Sequence, residues 1–246
     1  MFPDPSDLVP TDDPFPSTEW SLVARAAGKD DAARDAFARL CSQYWYPVYA
    51  YFRRRTGDVG QAEDLTQGLF THLLGGDGVA AADRQQGRFR AFLVGCCRNY
   101  LVDQHRRSAA GKRGGAARHV PFDFVGAAER FRREPADEGD PERQFLRSWA
   151  LTLLKRTSLA VRAEYAAAGR AALFDRLRTA LTGESDAEKY RAIGTEFGLT
   201  ENAVKKAAQA LRQRYAAELR RQIRETVADP AQVDDEIREL FAAVAG

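Results

Sequence analysis

The chain has 246 residues and a formal net charge of +2; 44% of its residues are hydrophobic and 29% are charged. That composition is typical of a soluble globular protein of one or two domains and excludes disordered and fibrous classes. No apolar run approaches the roughly 18 residues of a membrane span, which excludes an integral membrane protein. The N-terminus lacks the features of a secretory signal, and the three cysteines and three histidines follow no disulfide or zinc spacing. We therefore expect a cytoplasmic protein without metal or other cofactor.

The small net charge hides a segregation of charge along the chain. Basic residues dominate 84–118 and 188–224, whereas acidic residues dominate 1–24 and 225–246. Two basic segments between acidic ends are compatible with two separate contacts to a polyanion. They are also compatible with two solvated helical faces, and charge alone does not decide between these alternatives.

Helical periodicity extends through most of the chain, because Ala, Leu and Arg dominate and β-branched runs are absent. We predict an all-α fold with two helical domains, joined by a linker and a long helical insert. The predicted helices lie near 18–28, 31–55, 61–74, 88–108, 142–181 with an interruption at Gly169, 186–197, 201–226 and 231–243. The predicted divisions are a disordered acidic and Pro-rich N-terminus (1–16), a first helical domain (17–108), a linker (109–141), an insert (142–183), a second helical domain (184–226) and an acidic C-terminal extension (227–246).

The segment 61–74 carries apolar residues on two sides of its predicted helix. An inward stripe consists of Ala62, Leu65, Leu69 and Leu73. A second row, flanked by Asp64, consists of Glu63, Gln67, Phe70 and Leu74. Such a row is either a docking surface for another protein or a second buried face, and the segment alone favours burial.

The segment 86–107 combines aromatic and basic residues. One face of its predicted helix consists of Phe89, Phe92, Leu93, Cys96 and Tyr100. Arginines at 84, 88 and 90 lie near its start, and other basic residues follow. Aromatic rings beside cations can stack on an unpaired base while arginines hold the backbone. The alternative is that the aromatics are core residues, which we favour for Phe92 and Tyr100, and the cysteines at 96 and 97 are expected to be buried.

The segment 186–224 has the pattern of a helix-turn-helix. Gly198, Leu199 and Thr200 separate two predicted helices, with the glycine supplying a left-handed turn and the threonine a helix cap. The second helix places Val204, Ala208, Leu211 and Tyr215 on its buried side. Its opposite side carries amide and basic side chains, which can read base edges in a major groove. An ordinary helical hairpin with a polar outer face is the alternative.

In their order along the chain, the three segments resemble a bacterial sigma factor of the extracytoplasmic function (ECF) type, in the sigma-70 family. AEDLTQGLF is similar to region 2.2, FRAFLVGCCRNYLVDQHRR to regions 2.3–2.4, and YRAIGTEFGLTENAVKKAAQALRQRY to region 4.2. WSLVARAA and FARLCSQYWYPVYAYFRRR are similar to the opening helices of region 2. The resemblance covers about 17–108 and 184–226. Each motif alone is a weak to moderate indication of the family, whereas three of them in the family's order are a strong one. The matched pattern positions of regions 2.3–2.4 are Arg90, Phe92, Leu93, Asn99, Asp103 and Arg106.

The resemblance implies a non-enzymatic protein whose partners are the RNA polymerase core, through its β′ clamp helices, and promoter DNA. The implied core-binding residues are Glu63, Asp64, Gln67, Phe70 and Leu74. The implied contacts to the −10 element are Arg88, Phe89, Arg90, Arg98, Asn99, Arg106 and Arg107. The implied contacts to the −35 element are Thr200, Asn202, Lys205, Lys206, Gln209, Arg212 and Gln213.

Two parts of the chain depart from the family's pattern. Roughly 75 residues separate the two domains where a typical ECF factor has a short linker, and no family contact can be assigned to the insert. The acidic extension 227–246 could mask the basic second domain, bind a regulator or merely cap that domain. We favour the structural cap, because an apolar stripe runs along the extension at Val233, Ile237, Leu240 and Phe241.

The expected function is that of a sigma factor directing promoter recognition and transcription initiation. Two alternatives remain open: a helix-turn-helix regulator that acts without core polymerase, and a helical interaction or scaffold protein. The lack of an evident dimerisation heptad leans against the regulator. An anti-sigma or other regulatory partner is also left open.

Overall fold

The computed structural model describes residues 21–75, 79, 88–109, 122, 124–134, 140–182, 187–225, 227 and 229–245. Within these residues the chain forms ten α-helices and no β-strand, which confirms the predicted all-α fold. The helices are α1 Ser21–Ala26, α2 Asp31–Thr56, α3 Val59–Gly75, α4 Phe89–Ala109, α5 Ala127–Arg133, α6 Pro141–Ala167, α7 Ala171–Leu177, α8 Ala187–Phe197, α9 Glu201–Arg224 and α10 Val233–Ala245. The predicted disordered segment 1–16 lies outside the described residues.

Local capping interactions set the boundary between α2 and α3. The Asp30 carboxylate accepts a hydrogen bond from the Ala33 amide at 2.7 Å, which caps the start of α2. Gly57 ends α2 in the left-handed conformation, with φ at 72°, and its N–H donates to the Arg53 carbonyl. Asp58 then accepts from the Gln61 amide at 2.7 Å. The chain therefore reverses within a few residues, and α3 packs back against α2.

The chain divides into two compact units, of which the first contains Thr18–Leu153 and Ile223–Gly246. In this unit α2 packs against α1, α3 and α4. The large side chains that are fully buried there include Tyr44, Tyr49, Phe52, Leu69 and Leu93. Each such side chain contributes about 1.5–3 kcal/mol through removal of apolar surface from water. The packing holds α3 and α4 in fixed positions on α2.

Part of the predicted linker is ordered and packs on the first unit. The Arg130 guanidinium of α5 lies 3.4 Å from the centroid of the Tyr46 ring on α2, and it donates to the Thr152 hydroxyl of α6 at 2.8 Å. Upstream, the ring of Phe124 lies edge-on to that of Trp45, with centroids 5.5 Å apart. The described residues 122 and 124–134 of the predicted linker are therefore part of this unit.

The described residues of the second unit are those of Leu154–Gln222. Its core combines the second half of α6 with α7, α8 and α9, and it consists of Val161, Tyr165, Leu173, Phe174, Leu177, Tyr190, Ile193, Val204, Ala207, Ala208 and Leu211. The interruption predicted at Gly169 is confirmed, because this residue separates α6 from α7 with φ at 70°. Much of the predicted insert thus supplies core residues for the α8–α9 pair.

Gly194 is required for the close approach of α8 to the turn before α9. A Cβ atom at this position would lie 2.6 Å from the Leu199 carbonyl oxygen, which is a backbone atom with little freedom to move. We therefore expect Gly194→Ala to lower the free energy of unfolding by about 1–3 kcal/mol. Urea unfolding followed by circular dichroism measures the change.

Gly95→Ala in α4 is the matched control for that substitution. An added Cβ at Gly95 meets no heavy atom within 4 Å. Replacing a helical glycine by alanine in open space stabilises by roughly 0.5–1 kcal/mol. The free energies of unfolding of the two variants should therefore change in opposite directions. A stabilised Gly194→Ala variant would contradict the close packing of α8 against the turn before α9.

Candidate functional site

The face of α3 predicted to point inward does so. Ala62, Leu65, Leu69 and Leu73 are all buried. On the other side of α3, Asp64 and Leu74 are exposed, and Glu63 and Gln67 are half-buried. Leu74 keeps 38% of its surface accessible, which is high for a leucine. This side of α3 therefore presents an acidic and amide ridge that ends in an apolar residue.

Phe70 differs from the rest of that row because it lies in the interior, with 2% of its surface exposed. Its ring packs edge-on against Phe37 of α2, with centroids 6.5 Å apart, and against Phe122 at 5.1 Å. Phe122 also stacks on Trp45 at 6.1 Å. Phe122, which is distant in sequence, thus covers Phe70, the aromatic residue in this row of α3.

The buried side of α4 differs slightly from the predicted one. Its fully buried positions follow a four-residue spacing and are Phe89, Leu93, Cys97 and Leu101. Phe92, Cys96 and Tyr100, which were predicted on the same face, are half-buried. The predicted burial of Cys97 is confirmed, whereas Cys96 is only partly enclosed. Burial raises the pKa of the Cys96 thiol to about 11 and that of Cys97 well above its usual value, so both stay neutral.

Phe89, one of the implied −10 residues, is an interior side chain with 2% exposure. Its ring lies edge-on to Tyr44 of α2, with centroids 5.3 Å apart, and stacks on Phe92 at 5.8 Å. The side chain therefore anchors the start of α4 to α2 and offers no surface to a base.

The second half of α4 presents polar and basic side chains to solvent. Arg98, Asn99, Arg106 and Arg107 are all exposed. Arg98 forms an ion pair with Glu142 at the start of α6. Exposed arginines along one helix form a surface that can bind phosphates.

Arg88 and Arg90 have a different environment, because carboxylates of α10 hold both of them. Arg90 donates from Nε to one Glu236 oxygen at 2.5 Å and from Nη2 to the other at 2.9 Å. Arg88 Nε lies 2.9 Å from Glu236 Oε2, and both arginines also pair with Glu239. The Arg90 guanidinium in addition lies 5.0 Å from the Trp149 ring centroid. We refer to Arg88, Arg90, Glu236 and Glu239 as the α4–α10 ion cluster.

The α4–α10 ion cluster is largely shielded from water. The side chain of Glu236 is 1% exposed and that of Arg90 is 7% exposed, whereas that of Glu239 is 50% exposed. Burial alone would raise the pKa of Glu239, but hydrogen bonds from Arg88 and Arg90 outweigh it and lower that pKa. Burial likewise opposes the charged form of Arg90, and the two glutamates outweigh it, so the pKa of Arg90 is raised. Glu239 and Arg90 are therefore both charged at neutral pH.

Sequence analysis missed Glu236. The predicted apolar stripe of α10 is present in part: Val233 and Leu240 are buried and Ile237 is half-buried, but Phe241 is 53% exposed. Glu236 takes the remaining place on the buried face. Its position three residues after Val233 and four before Leu240 was the available signal, because that spacing puts all three on one side of a helix. Helix α10 belongs to the first unit and not to the α8–α9 domain that the extension follows in sequence.

The α8–α9 pair has the turn that the sequence predicts. Gly198 adopts a φ of 67°, and the Leu199 amide donates to the Gly194 carbonyl at 2.8 Å. The Thr200 hydroxyl accepts from the Ala203 amide at 3.2 Å and so caps α9. Leu199 packs as a partly buried residue against the core of this unit.

The two sides of α9 also follow the prediction. Val204, Ala208 and Leu211 are fully buried, and Tyr215 is half-buried and donates to the Leu154 carbonyl at 2.9 Å. Of the implied −35 residues, Arg212 is half-buried, and those exposed are Thr200, Asn202, Lys205, Lys206, Gln209 and Gln213. Lys205 is paired with Glu201, one helical turn earlier, at 2.8 Å. The outer face of α9 thus displays amides and lysines suited to base-edge contacts.

Among the described residues, no group of three or more His, Cys, Asp and Glu side chains is placed to hold a metal ion. In the same part of the chain, no helix combines the length and apolar character that a membrane span requires.

A comparison with protein families matches the part of the chain that contains α3 and α4. Residues 40–110 match the family model described as Sigma-70 region 2. Over 88 residues the chain is 40% identical to the ECF RNA polymerase sigma factor BldN of Streptomyces coelicolor. That alignment covers 35% of this chain and 31% of the relative, so the chain matches about a third of the curated relative's length. No solved structure matches the chain significantly.

The family match begins within α2 and includes all of α3 and α4, which are the helices that carry the region 2 motifs. The relative is of the same type as the family that the motifs resemble. Residues 40–110 are therefore similar to sigma-70 region 2, and the chain is similar over a third of its length to an ECF sigma factor.

Proposed function

We propose that this protein is a promoter-recognition subunit of bacterial RNA polymerase and directs the enzyme to promoters with −10 and −35 elements. One observation carries the proposal. The chain that contains a sigma-70 region 2 also contains, in its second unit, a capped helix pair with an amide and basic outer face. Two DNA-reading surfaces in one chain suit a two-part promoter element.

In this proposal the exposed ridge of α3 docks on the core enzyme. Asp64 and Leu74 are exposed, and Glu63 and Gln67 are partly accessible beside them. An acidic ridge with an apolar end suits a basic and partly apolar helical partner, and the β′ clamp helices are the partner implied for this family. Phe70 would take part only if Phe122 moved away from its ring.

The second half of α4 would bind the −10 element. Arg98, Arg106 and Arg107 are exposed for contacts to phosphates, and Asn99 can bond a base edge. A base flipped out of the duplex costs a few kcal/mol, which stacking on an aromatic ring offsets. Phe92 and Tyr100 are half-buried, so they keep some ring surface for such stacking.

The outer face of α9 would lie in the major groove of the −35 element. Asn and Gln side chains pair bidentately with adenine, and lysine donates to guanine. Asn202, Lys206, Gln209 and Gln213 recur at spacings that keep them on one side of α9, opposite the buried Val204 and Leu211. The Thr200 cap and the left-handed Gly198 fix the start of this helix for docking.

The docking surface is tested by removing its exposed side chains. The double substitution Asp64→Ala and Leu74→Ala should weaken binding to core polymerase about tenfold or more, because side chains at an interface centre typically contribute 1–2 kcal/mol or more each. Titration of labelled core polymerase with the purified protein measures the affinity. Phe70 is avoided, since truncating a buried ring costs about 3–5 kcal/mol of stability.

Gln61→Ala is the control, because Gln61 is exposed on the same helix but lies outside the docking row. It should bind core like the unsubstituted protein. Unchanged binding by the double variant, with an intact circular dichroism spectrum, would show that core contacts lie elsewhere.

The −35 assignment is tested by a change of preference. Lys206→Ala and Gln209→Ala should each alter the −35 bases selected from a randomised promoter library, because one well-placed side chain discriminates between bases by roughly 1–3 kcal/mol. Binding to core polymerase should stay as it is, since α9 is not part of the docking ridge.

Lys189→Ala on α8 is the matched lysine control in the same unit. It should leave the selected −35 sequence unchanged. A library that returns the same −35 bases for Lys206→Ala, Gln209→Ala and the unsubstituted protein would refute the placement of α9 in the groove.

A further inference from the structure

The α4–α10 ion cluster engages Arg88 and Arg90, two of the arginines that the resemblance to ECF sigma factors implies as contacts to the −10 element. Glu236 and Glu239 together place their carboxylates against both Arg88 and Arg90. A carboxylate and a phosphate use the same guanidinium donors, and both bind in a bidentate fork. DNA phosphates and the two glutamates therefore compete for the same N–H groups.

The burial of Arg90 makes this competition an exchange of one anion for another. The side chain of Arg90 is 7% exposed, and its charge lies against the Trp149 ring. A buried charge that loses its partner is strongly destabilising, so α10 cannot leave Arg90 without a replacement. A polyanion that arrives at the start of α4 supplies an anionic replacement for the glutamates, whereas water supplies no such anion.

The contacts of α10 are compatible with such an exchange. Of its apolar side chains, Val233 and Leu240 are buried and Phe241 points outward. The outer half of the ion cluster is accessible, because Glu239 is 50% exposed and Arg88 is 22% exposed. An incoming phosphate can therefore first displace Glu239 from Arg88 and then proceed inward to Arg90.

We infer that α10 is an autoinhibitory helix whose Glu236 and Glu239 occupy Arg88 and Arg90 until phosphates of the −10 strand replace them. The inference rests on the proposed function and adds a regulatory step to it. Helix α10 lowers the affinity for −10 DNA in the free state and is released when the promoter is engaged. Only molecules whose Arg88 and Arg90 are not occupied by α10 are competent to bind DNA. The apparent affinity for DNA is therefore reduced in proportion to the fraction of such molecules.

Glu239→Gln tests the inference with little risk to the fold, because Glu239 is half-exposed. The full-length chain is combined with core polymerase, and binding is measured by fluorescence anisotropy on a fork-junction DNA with the −10 sequence that the holoenzyme selects. We expect Glu239→Gln to bind roughly fivefold tighter or more, at the lower end of typical intramolecular couplings.

Asp235→Asn is the charge-matched control. It also removes one negative charge from α10, but Asp235 pairs with Arg238 on the same helix and lies outside the ion cluster. It should bind the DNA like the unsubstituted protein. Equal affinities for Glu239→Gln and Asp235→Asn, whether raised or unchanged, would overturn the inference, because only net charge would then matter.

Hydrogen exchange provides a second readout that does not depend on a substitution. Amides of α10 should exchange faster when the holoenzyme binds the fork DNA than when it is free. Unchanged protection of 233–245 in the DNA complex would show that α10 stays docked and would overturn the inference, although DNA binding itself would leave the proposed function standing. A chain that forms no DNA complex with core polymerase would overturn the proposed function, and the inference with it.

Discussion

The positive charge of Arg90 is buried in the first unit, and several elements are arranged around the need to compensate it. Glu236 supplies a bidentate partner from a residue 146 positions away, Glu239 adds a second carboxylate, and Trp149 covers the guanidinium. Because an unpaired charge in this position would be strongly destabilising, Arg90 of α4 needs an anionic partner, which α10 supplies in this structure. The cluster therefore connects the start of the predicted −10 helix to the acidic extension.

Each functional helix is divided by its periodicity into a core side and a surface side. On α3 the leucines face α2 and the acidic ridge faces outward, and on α9 the aliphatic residues face the core while amides and lysines face solvent. Packing sets the direction of the outer faces, because the buried stripe fixes the rotation of each helix about its axis. Promoter recognition, as proposed, depends on these faces and requires no chemistry on bound substrates.

Features set by nearby residues could be predicted from the sequence. The Gly198 turn, the Thr200 cap and the inward stripe of α3 depend on spacings of a few residues, and each is present. Features that depend on distant segments could not be predicted from the sequence. Phe70 is buried because Phe122 returns to cover it, and Glu236 is buried because two arginines far upstream receive it. The exposure of a side chain is decided by partners that helical periodicity does not identify.

As proposed, this chain gives core polymerase the ability to start transcription at defined promoters. Run-off transcription from a randomised promoter library, with bacterial core polymerase in the presence and absence of the protein, tests it most directly. We expect transcripts that begin at a fixed distance downstream of a common two-part element, and only when the protein is present. Transcripts of the same start sites and yield with and without the protein would contradict it.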